Sequence, residues 1–273
     1  MREWNGSVAF ITGGGQGIGL GIARALGKRG VCLALADIDE AALAASKDEL
    51  SQVTDVETFR LDVRDREVFA SVADEAESKL GAVSLLFNNA GIAPVSSLRD
   101  LDYEKWDLAL GVNVNGVVNG LQTFLPRMIE RGQGGYVVNT ASGAGLVGHA
   151  NVLYTTSKYA VVGLSEALKQ VASKYDIDVS VLCPAFVDTR ILENTESLSA
   201  GHSGFPQGEQ RQQTEASFKS GVSIDAVGEM VIAGMEAGAT WIHTDDSLRP
   251  YLRMRSEALL DSLPAPAGEE ASH

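Results

Sequence analysis

Short runs of β-branched and aliphatic residues alternate with longer helical segments along most of the chain. Such alternation predicts β-α-β units, and hence a parallel sheet covered by helices on both faces. With 273 residues, 45% of them hydrophobic, the chain can bury one large core, and a single domain is expected. The seven predicted strands of this α/β fold span residues 8–12, 31–37, 56–60, 83–88, 135–140, 179–183 and 241–244.

Helices are predicted between these strands because apolar residues recur there at helical spacing. They span residues 17–29, 40–50, 65–80, 102–130 and 154–175, and an amphipathic helix is expected after the last strand. Residues 193–221 are polar and interrupted by glycine and proline, which predicts a mobile loop or lid over about residues 190–222. Residues 264–273 are expected to form a disordered tail, leaving 1–263 as the single domain.

The chain carries 36 acidic and 22 basic residues, a formal net charge of −14. Nucleic acid and anionic lipid repel such a surface, so neither is expected as a partner. No long apolar segment indicates a signal peptide or a membrane span, and a cytoplasmic location is expected. Cys32 and Cys183 lie in apolar runs typical of buried free thiols. The four histidines lack metal-ligand spacing, so no metal is expected, and His149 is interpreted as a polar wall residue.

A glycine-rich turn, T-G-G-G-Q-G-I-G, runs from Thr12 to Gly19 and joins the first predicted strand to the first helix. Without Cβ atoms, Gly13, Gly17 and Gly19 let backbone amides approach a pyrophosphate at a helix N-terminus, where partial positive charge favours anions. An ordinary glycine turn is the alternative, but the position between strand and helix favours a dinucleotide site.

Asp37 ends the second predicted strand, 18 residues after Gly19. An acid near this spacing can hydrogen-bond the adenosine ribose, and its charge would repel the 2′-phosphate of NADP. No arginine or lysine stands at Gln16 or Ile38 to offset that repulsion, so NAD is the expected cofactor. The alternative is that Asp37 or Asp39 only caps the next helix, and both roles can hold together.

Tyr154 and Lys158 stand four residues apart in Y-T-T-S-K, on one face of a predicted helix. A free tyrosine has a pKa of about 10, and a nearby ammonium favours the phenolate, so this pair could transfer a proton near neutral pH. Ser142 follows a predicted strand at the carboxyl edge of the sheet, where its hydroxyl could hold a substrate oxygen. Each residue alone is also typical of a solvated helix or a cap, but their combination indicates an oxidoreductase.

These motifs together resemble the short-chain dehydrogenase/reductase family: the glycine-rich turn, N-N-A-G from Asn88, Asn113, Ser142 and Tyr154-x-x-x-Lys158. The resemblance covers roughly residues 7 to 190, in the family's order. It implies a doubly wound Rossmann sheet, and hydride transfer between a nicotinamide and a carbinol carbon by an Asn-Ser-Tyr-Lys tetrad. It also implies a homotetramer, although the altered C-terminus leaves a homodimer open.

The resemblance assigns site residues by position. The catalytic residues would be Asn113, Ser142, Tyr154 and Lys158. The cofactor would contact Gly13, Gln16, Gly17, Ile18, Gly19, Asp37, Asp62, Val63, Asn89, Ala90, Gly91, Tyr154, Lys158, Val187 and Thr189. The family's P-G-x-V-x-T segment corresponds to P-A-F-V-D-T from Pro184, with Ala185 in place of the glycine.

The expected substrate pocket is mostly apolar. Its residues would be Ser142, Ala144, Leu153 and Phe186, with Pro94, Leu146, Ile191 and Leu192 also on the wall. This composition favours a small neutral molecule, a hydrophobic or aromatic secondary alcohol or the matching ketone. The C-terminal helix resembles that of family members that oxidise bulky aryl or aliphatic carbinols. Arg190 is the one nearby cation, and an acidic substrate would fit if it faces the pocket.

Two other functions remain open at the level of sequence. The enzyme could work physiologically as an NADH-dependent ketone reductase, because the same residues serve both directions. The chain could also be a catalytically silent NAD-binding sensor or scaffold, which the complete tetrad argues against.

Overall fold

A computed structural model describes residues 4–199 and 208–264, except the side chain of Gln210. Its strands are β1 (Val8–Thr12), β2 (Cys32–Asp37), β3 (Val56–Arg60), β4 (Val83–Asn88), β5 (Gly135–Thr140), β6 (Ile177–Cys183) and β7 (Trp241–His243). They form one parallel sheet in the order β3-β2-β1-β4-β5-β6-β7. The direction of strand addition reverses between β1 and β4, which confirms the doubly wound Rossmann sheet.

The helices that the structure describes are α1 (Gly17–Gly27), α2 (Glu40–Leu50), α3 (Arg66–Leu80), α4 (Tyr103–Leu110), α5 (Gly116–Arg131), α6 (Val152–Ala172), α7 (Ile191–Leu198), α8 (Glu209–Lys219), α9 (Ile224–Glu236) and α10 (Arg249–Asp261). Aspartates begin three of them, because Asp39, Asp65 and Asp102 accept hydrogen bonds from first-turn backbone amides. The long helix predicted over residues 102–130 is α4 and α5, joined by the π-helical segment Gly111–Asn115.

A hydrophobic core lies on each face of the sheet. Along β1, Val8 and Phe10 belong to one core and Ala9 and Ile11 to the other, as the alternation of side chains in a strand requires. Helices α3, α5 and α6 complete the first core, and α1, α2 and α9 the second. Both faces are therefore covered, and the carboxyl ends of the strands remain as the natural ligand edge.

The segment predicted as a lid differs from the expected irregular connection. Its described residues form α7 and α8, because a run of glutamate, glutamine and arginine in α8 favours a helix. Residues 200–207 of this segment and 265–273 of the predicted tail lie outside the described residues.

The cysteines and the apolar character of the helices are also subjects of the sequence predictions. Cys32 and Cys183 are free thiols. Among the helices of residues 4–199 and 208–264, none combines the length and apolar character needed to cross a membrane.

Candidate active site

The turn between β1 and α1 brings backbone groups close together. Gly13 and Gly17 have φ values of 62° and 54°, where any other side chain would be strained. A Cβ at Gly19 would lie 2.0 Å from the carbonyl oxygen of Gly13. Oε1 of Gln16, in the same turn, is buried and has no hydrogen-bond partner. The turn thus forms a close backbone cradle at the N-terminus of α1, with an acceptor that a bound molecule could satisfy.

Asp37 is fixed beside this cradle at the end of β2. Its carboxylate accepts hydrogen bonds of 3.1 Å from the backbone amides of Gly15 and Asp39. Burial raises the pKa of Asp37, and these backbone hydrogen bonds oppose the rise. The capping role belongs to Asp39, whose carboxylate accepts from Ala41 and Ala42 at the start of α2. Asp37 is therefore not needed as the helix cap.

The adjacent wall carries a carboxylate and a guanidinium that neutralise each other. Asp62 and Arg64 form an ion pair of 2.6 Å, and hydrogen bonds from Arg64 lower the pKa of Asp62. Val63 lies between them and is buried. Asn89 ties β4 to the cradle, since its side-chain nitrogen donates to the carbonyl oxygens of Thr12 and Gly13 at 3.2 Å.

Ser142, Tyr154 and Lys158 meet at the carboxyl ends of β5 and β6. The phenol of Tyr154 hydrogen-bonds Ser142. Nζ of Lys158 lies 5.6 Å from the centre of the Tyr154 ring and donates to the carbonyl oxygen of Thr140 at 3.0 Å. Lys158 is only 3% exposed. Proton donors and acceptors are thus gathered in one place, where the amine of Lys158 is shielded from water.

Burial dominates the proton affinities of this group. It lowers the pKa of Lys158 to about 8. It also raises the pKa of Tyr154 above its ordinary value, and the hydrogen bond with Ser142 only partly offsets the rise. The role of Lys158 in lowering the pKa of Tyr154 stays a prediction, because burial is the main cause of the raised pKa here and Lys158 is not among the groups that shift it.

Asn113 lies behind the cluster, in the π-helical segment, a form of helix often found at functional sites. Its amide oxygen accepts from the backbone amide of Ile92, and its nitrogen donates to the Ile92 carbonyl and to Oγ of Ser157, each at 2.9 Å. Ser157 in turn donates to the carbonyl oxygen of Tyr154 at 2.9 Å. A Cβ at Gly91 would be 3.3 Å from both the Asn113 oxygen and Nζ of Lys158, so glycine there leaves the gap between them open.

Asn151 begins the helix that carries Tyr154 and Lys158, a role that the sequence reasoning missed. Its side-chain oxygen accepts from the backbone amide of Tyr154 at 3.1 Å, and its nitrogen donates to the carbonyl oxygen of Pro94 at 2.9 Å. An asparagine just before an apolar helical run is a recognised start signal and could have been read. The cap explains why α6 begins at Val152, two residues before its predicted start.

The loop containing Pro94 is also held by α7. Oγ1 of Thr195 accepts from the backbone amide of Ala93 at 2.9 Å and donates to the carbonyl oxygen of Ile191 at 2.7 Å. Thr195 is completely buried. One short loop therefore connects α7, through Ala93 and Pro94, to the cap of the helix that carries Tyr154.

A single cavity of about 390 Å³ contains most of the predicted site. Every predicted cofactor residue lines it except Gly19, which lies behind the turn, and so do Ser142, Tyr154 and Lys158. Asn113 is buried behind the wall, 1% exposed, and is not among the lining residues.

Most of the predicted substrate residues do not line the cavity. Ser142 lines the cavity, whereas Ala144, Leu153 and Phe186 do not. Leu153 is buried in the protein, and Phe186 is 51% exposed with its ring set edge-on against Phe218, centroids 5.2 Å apart. The same holds for Pro94, Leu146 and Leu192, all absent from the lining. Ile191 of α7 lines the cavity as predicted, and the rest of the observed wall is built from Asn194, Ser197 and Leu198 of α7 and Phe218 of α8.

A cation and the segment before α10 lie near the site. Arg190 does line the cavity, and its side chain is exposed. Leu248, just before α10, packs against Gly143, where an added Cβ would be 2.5 Å from the leucine Cδ1. His149 is exposed, and the described residues contain no group of three or more side chains placed to hold a metal ion.

Comparison with known proteins agrees with this geometry. The sequence profile of the short chain dehydrogenase family matches residues 7–199, well over half of the chain. The chain belongs to the short-chain dehydrogenase/reductase family. It is therefore an oxidoreductase by family, and the Rossmann sheet is the family's fold.

Individual relatives in the family cover from about two thirds of the chain to nearly all of it. A C alpha-dehydrogenase from Sphingobium sp. is 34% identical over 96% of this chain and 88% of its own length. The 3beta-hydroxysteroid dehydrogenase 2 of Eggerthella lenta is 35% identical over 68% of this chain and 73% of its own. The crystal structure of a short chain dehydrogenase/reductase from Burkholderia phymatum in complex with NAD has a TM-score of 0.89 at 32% identity, covering 97% of this chain and 98% of that one.

Proposed function

We propose that the protein is an NAD-dependent dehydrogenase that oxidises a secondary alcohol to a ketone, or reduces the ketone in the reverse direction. The supporting observation is that Ser142, Tyr154 and Lys158 line the same cavity as the glycine cradle and Asp37. A proton-transfer group and a dinucleotide cradle thus line the same cavity, as dehydrogenation requires. The proposed setting is the cytoplasm, as a homotetramer or a homodimer.

The residues of the cavity fit NAD. The cradle at the N-terminus of α1 suits a pyrophosphate, and the carboxylate of Asp37 can accept hydrogen bonds from ribose hydroxyls. A 2′-phosphate would meet the buried carboxylate of Asp37, and the guanidinium of Arg64 is already engaged by Asp62. When bound, NAD would accept the hydride from the carbinol carbon. These contacts support a preference for NAD over NADP.

Tyr154 would remove the hydroxyl proton of the alcohol, while Ser142 holds the same oxygen in place. In the reverse direction Tyr154 would return the proton to the forming alkoxide. Because burial raises the pKa of Tyr154, the phenol is protonated at neutral pH. This state suits ketone reduction, whereas alcohol oxidation needs the phenolate. The rate of oxidation should therefore rise as the pH becomes alkaline, and the rate of reduction should not.

The substrate is proposed to be a small neutral molecule, hydrophobic or aromatic. Ile191, Leu198 and Phe218 present apolar surface to the cavity. The relative named 3beta-hydroxysteroid dehydrogenase 2 supports a carbinol substrate. A carbinol with a carboxylate or phenolate substituent is a second candidate, favoured by Arg190 at the cavity wall.

Steady-state formation and consumption of NADH test the proposal, on aryl, alkyl and carboxylate-bearing secondary alcohols and their ketones. NAD and NADP are compared separately. Tyr154→Phe should lose at least about a thousandfold in kcat, within the range of general acid–base catalysis, and keep its affinity for NADH. A variant that retains most of its rate contradicts the role of Tyr154. Tight NADH binding without turnover on the whole panel would favour a sensor or scaffold instead.

Two variants separate the finer parts of the proposal. Asp37→Ser should lower the preference for NAD over NADP, because the repelling carboxylate is gone; unchanged selectivity would argue against the ribose contact. Arg190→Met should raise the KM of a carboxylate-bearing alcohol and leave that of its neutral analogue unchanged. Equal KM values for the two alcohols in both proteins would remove the acidic substrate from consideration.

A further inference from the structure

Helix α10 is scarcely covered by the rest of its own chain. None of its 13 residues is buried. Met254 and Leu260 are 64% and 66% exposed, and Tyr251 and Leu259 are more than half exposed. An isolated helix of this length is marginal in water and normally depends on packing against other structure. The helix therefore needs a contact that its own chain does not supply within the described residues.

The charges of α10 are arranged unfavourably for a helix that stands alone. Arg249, Arg253, Glu257 and Asp261 follow one another at intervals of four, so they form one row along the helix. Like charges are neighbours at each end of the row, which destabilises a helix. The arginines also lie toward the N-terminus and the acids toward the C-terminus, opposite to the preference of the helix dipole. None of the four forms an ion pair with another described residue.

The row points away from the body of the protein. The guanidinium of Arg255 lies 5.4 Å from the ring centre of Tyr159 on α6, so this side of α10 faces its own chain. At 100° per residue, the row that contains Arg253 and Glu257 is on the opposite side. Met254 and Leu260, the most exposed apolar residues of the helix, flank the row. Together they form an outward surface of charged and apolar residues, here called the α10 face.

We propose that the α10 face docks against the α10 face of a second copy of this chain, with the two helices antiparallel. With the two-fold axis at the level of Arg255, Arg249 of one copy lies opposite Asp261 of the other, and Arg253 lies opposite Glu257. The order Arg-Arg-Glu-Asp is thus complementary to itself when reversed. The contact is isologous, as a closed dimer requires, and each arginine pair then lies beside the C-terminal end of the other helix.

A second copy fits this face better than a membrane does. Anionic lipid would attract the arginine half of the row, but it would repel the acidic half on the same side. Two copies with a net charge of −14 each repel one another in general, so a stable contact must bring opposite charges together locally, as the antiparallel pair does. The inference depends on α10 alone and is independent of the reaction proposed above.

Sedimentation velocity of the full chain at low ionic strength, over a range of concentrations, tests the docking. By symmetry, Arg253→Glu places two pairs of carboxylates in contact, and Glu257→Arg places two pairs of guanidiniums in contact. Each single variant should raise the dissociation constant by roughly tenfold or more. The double variant restores opposite charges at every position and should restore the wild-type assembly. Arg99→Glu, an exposed charge reversal outside α10, is the matched control and should change nothing.

A wild-type protein that stays monomeric, or single variants that assemble like wild type, would overturn the proposal. Single variants that dissociate without recovery in the double variant would mean that α10 binds something other than its own reversed copy. Cosedimentation of the wild type with phosphatidylserine vesicles, lost in Arg253→Glu, would identify a membrane as the occupant instead. Leu260→Glu should also weaken the assembly, which tests the apolar part of the face separately from its charges.

Discussion

Replacing Lys158 with methionine should stabilise the protein at neutral pH while abolishing its activity. The amine is 3% exposed, and burial lowers its pKa from 10.5 to about 8. At about 1.4 kcal/mol per pKa unit, this shift corresponds to about 3 kcal/mol of stability lost whenever the amine is charged. Methionine fills a similar volume without a charge, and so avoids the penalty.

The pH dependence gives the sign of the effect. Below pH 8 the amine is protonated in both folded and unfolded chains, and the folded protein carries the full penalty. Between about 8 and 10.5 the folded protein loses the proton first, so the unfolded chain binds more protons and stability rises with pH. Across this window, the free energy of unfolding of the wild type should therefore rise by about 3 kcal/mol relative to that of the Lys158→Met variant.

Urea unfolding of both proteins at several pH values measures this gain. Taking the difference between the two proteins removes the titration of the buried phenol of Tyr154, which has a raised pKa and contributes in the opposite sense. A difference in unfolding free energy that stays constant from neutral pH to 10.5 would refute the reasoning. It would mean that water or a counter-charge reaches Lys158 and relieves its burial.

Other substitutions test the supports of the site. Gly19→Ala should weaken NADH binding at least tenfold and cost about 1–3 kcal/mol of stability, because its Cβ meets a carbonyl oxygen at 2.0 Å; calorimetry and thermal unfolding measure both. Gly163→Ala, where a Cβ meets nothing within 4 Å, should instead stabilise α6 by about 0.5–1 kcal/mol. Asn151→Ala should lower the stability by about 1 kcal/mol, and it should lower kcat more than Asn151→Ser, which keeps an acceptor for the amide of Tyr154. Equal kcat values for the two variants would contradict a role of the cap in positioning Tyr154. Thr195→Val leaves a loop amide without its acceptor and should cost about 1–3 kcal/mol in a melting experiment.

Much of the fold follows from local sequence pattern. Strands β1, β3, β4 and β5 have their predicted limits, because each is a short segment that contains β-branched or aromatic residues. Strand β6 begins earlier than predicted, at Ile177, since Ile177 and Asp178 pair with Gly135 and Tyr136 of the neighbouring strand. Pairing of this kind depends on the partner strand and not on local hydrophobicity. The composition of α8 favours a helix, whereas the glycines and proline before it favour an irregular segment.

In the site, too, some features follow from local sequence and others depend on residues far apart in the chain. Tyr154 and Lys158 are four residues apart, so helical geometry alone places them together. The contacts of Asn151 with Pro94 and of Thr195 with Ala93 join residues 57 and 102 positions apart, a separation that carries no local pattern. The direction of Phe186 likewise depends on Phe218, a partner far along the chain. Sequence reasoning therefore identifies most of the residues that the structure brings together at the cavity, but not the outer wall of that cavity.

The packing of Leu248 on Gly143 restricts what can follow Ser142. Any larger residue at that position would have to push the leucine away, and the chain leading into α10 with it. A relative whose chain ends differently is free of this restriction and can place a side chain there, beside the hydroxyl that is proposed to hold the substrate oxygen. The length and course of the C-terminus and the shape of the pocket should consequently vary together among relatives, and grafting one without the other should damage both.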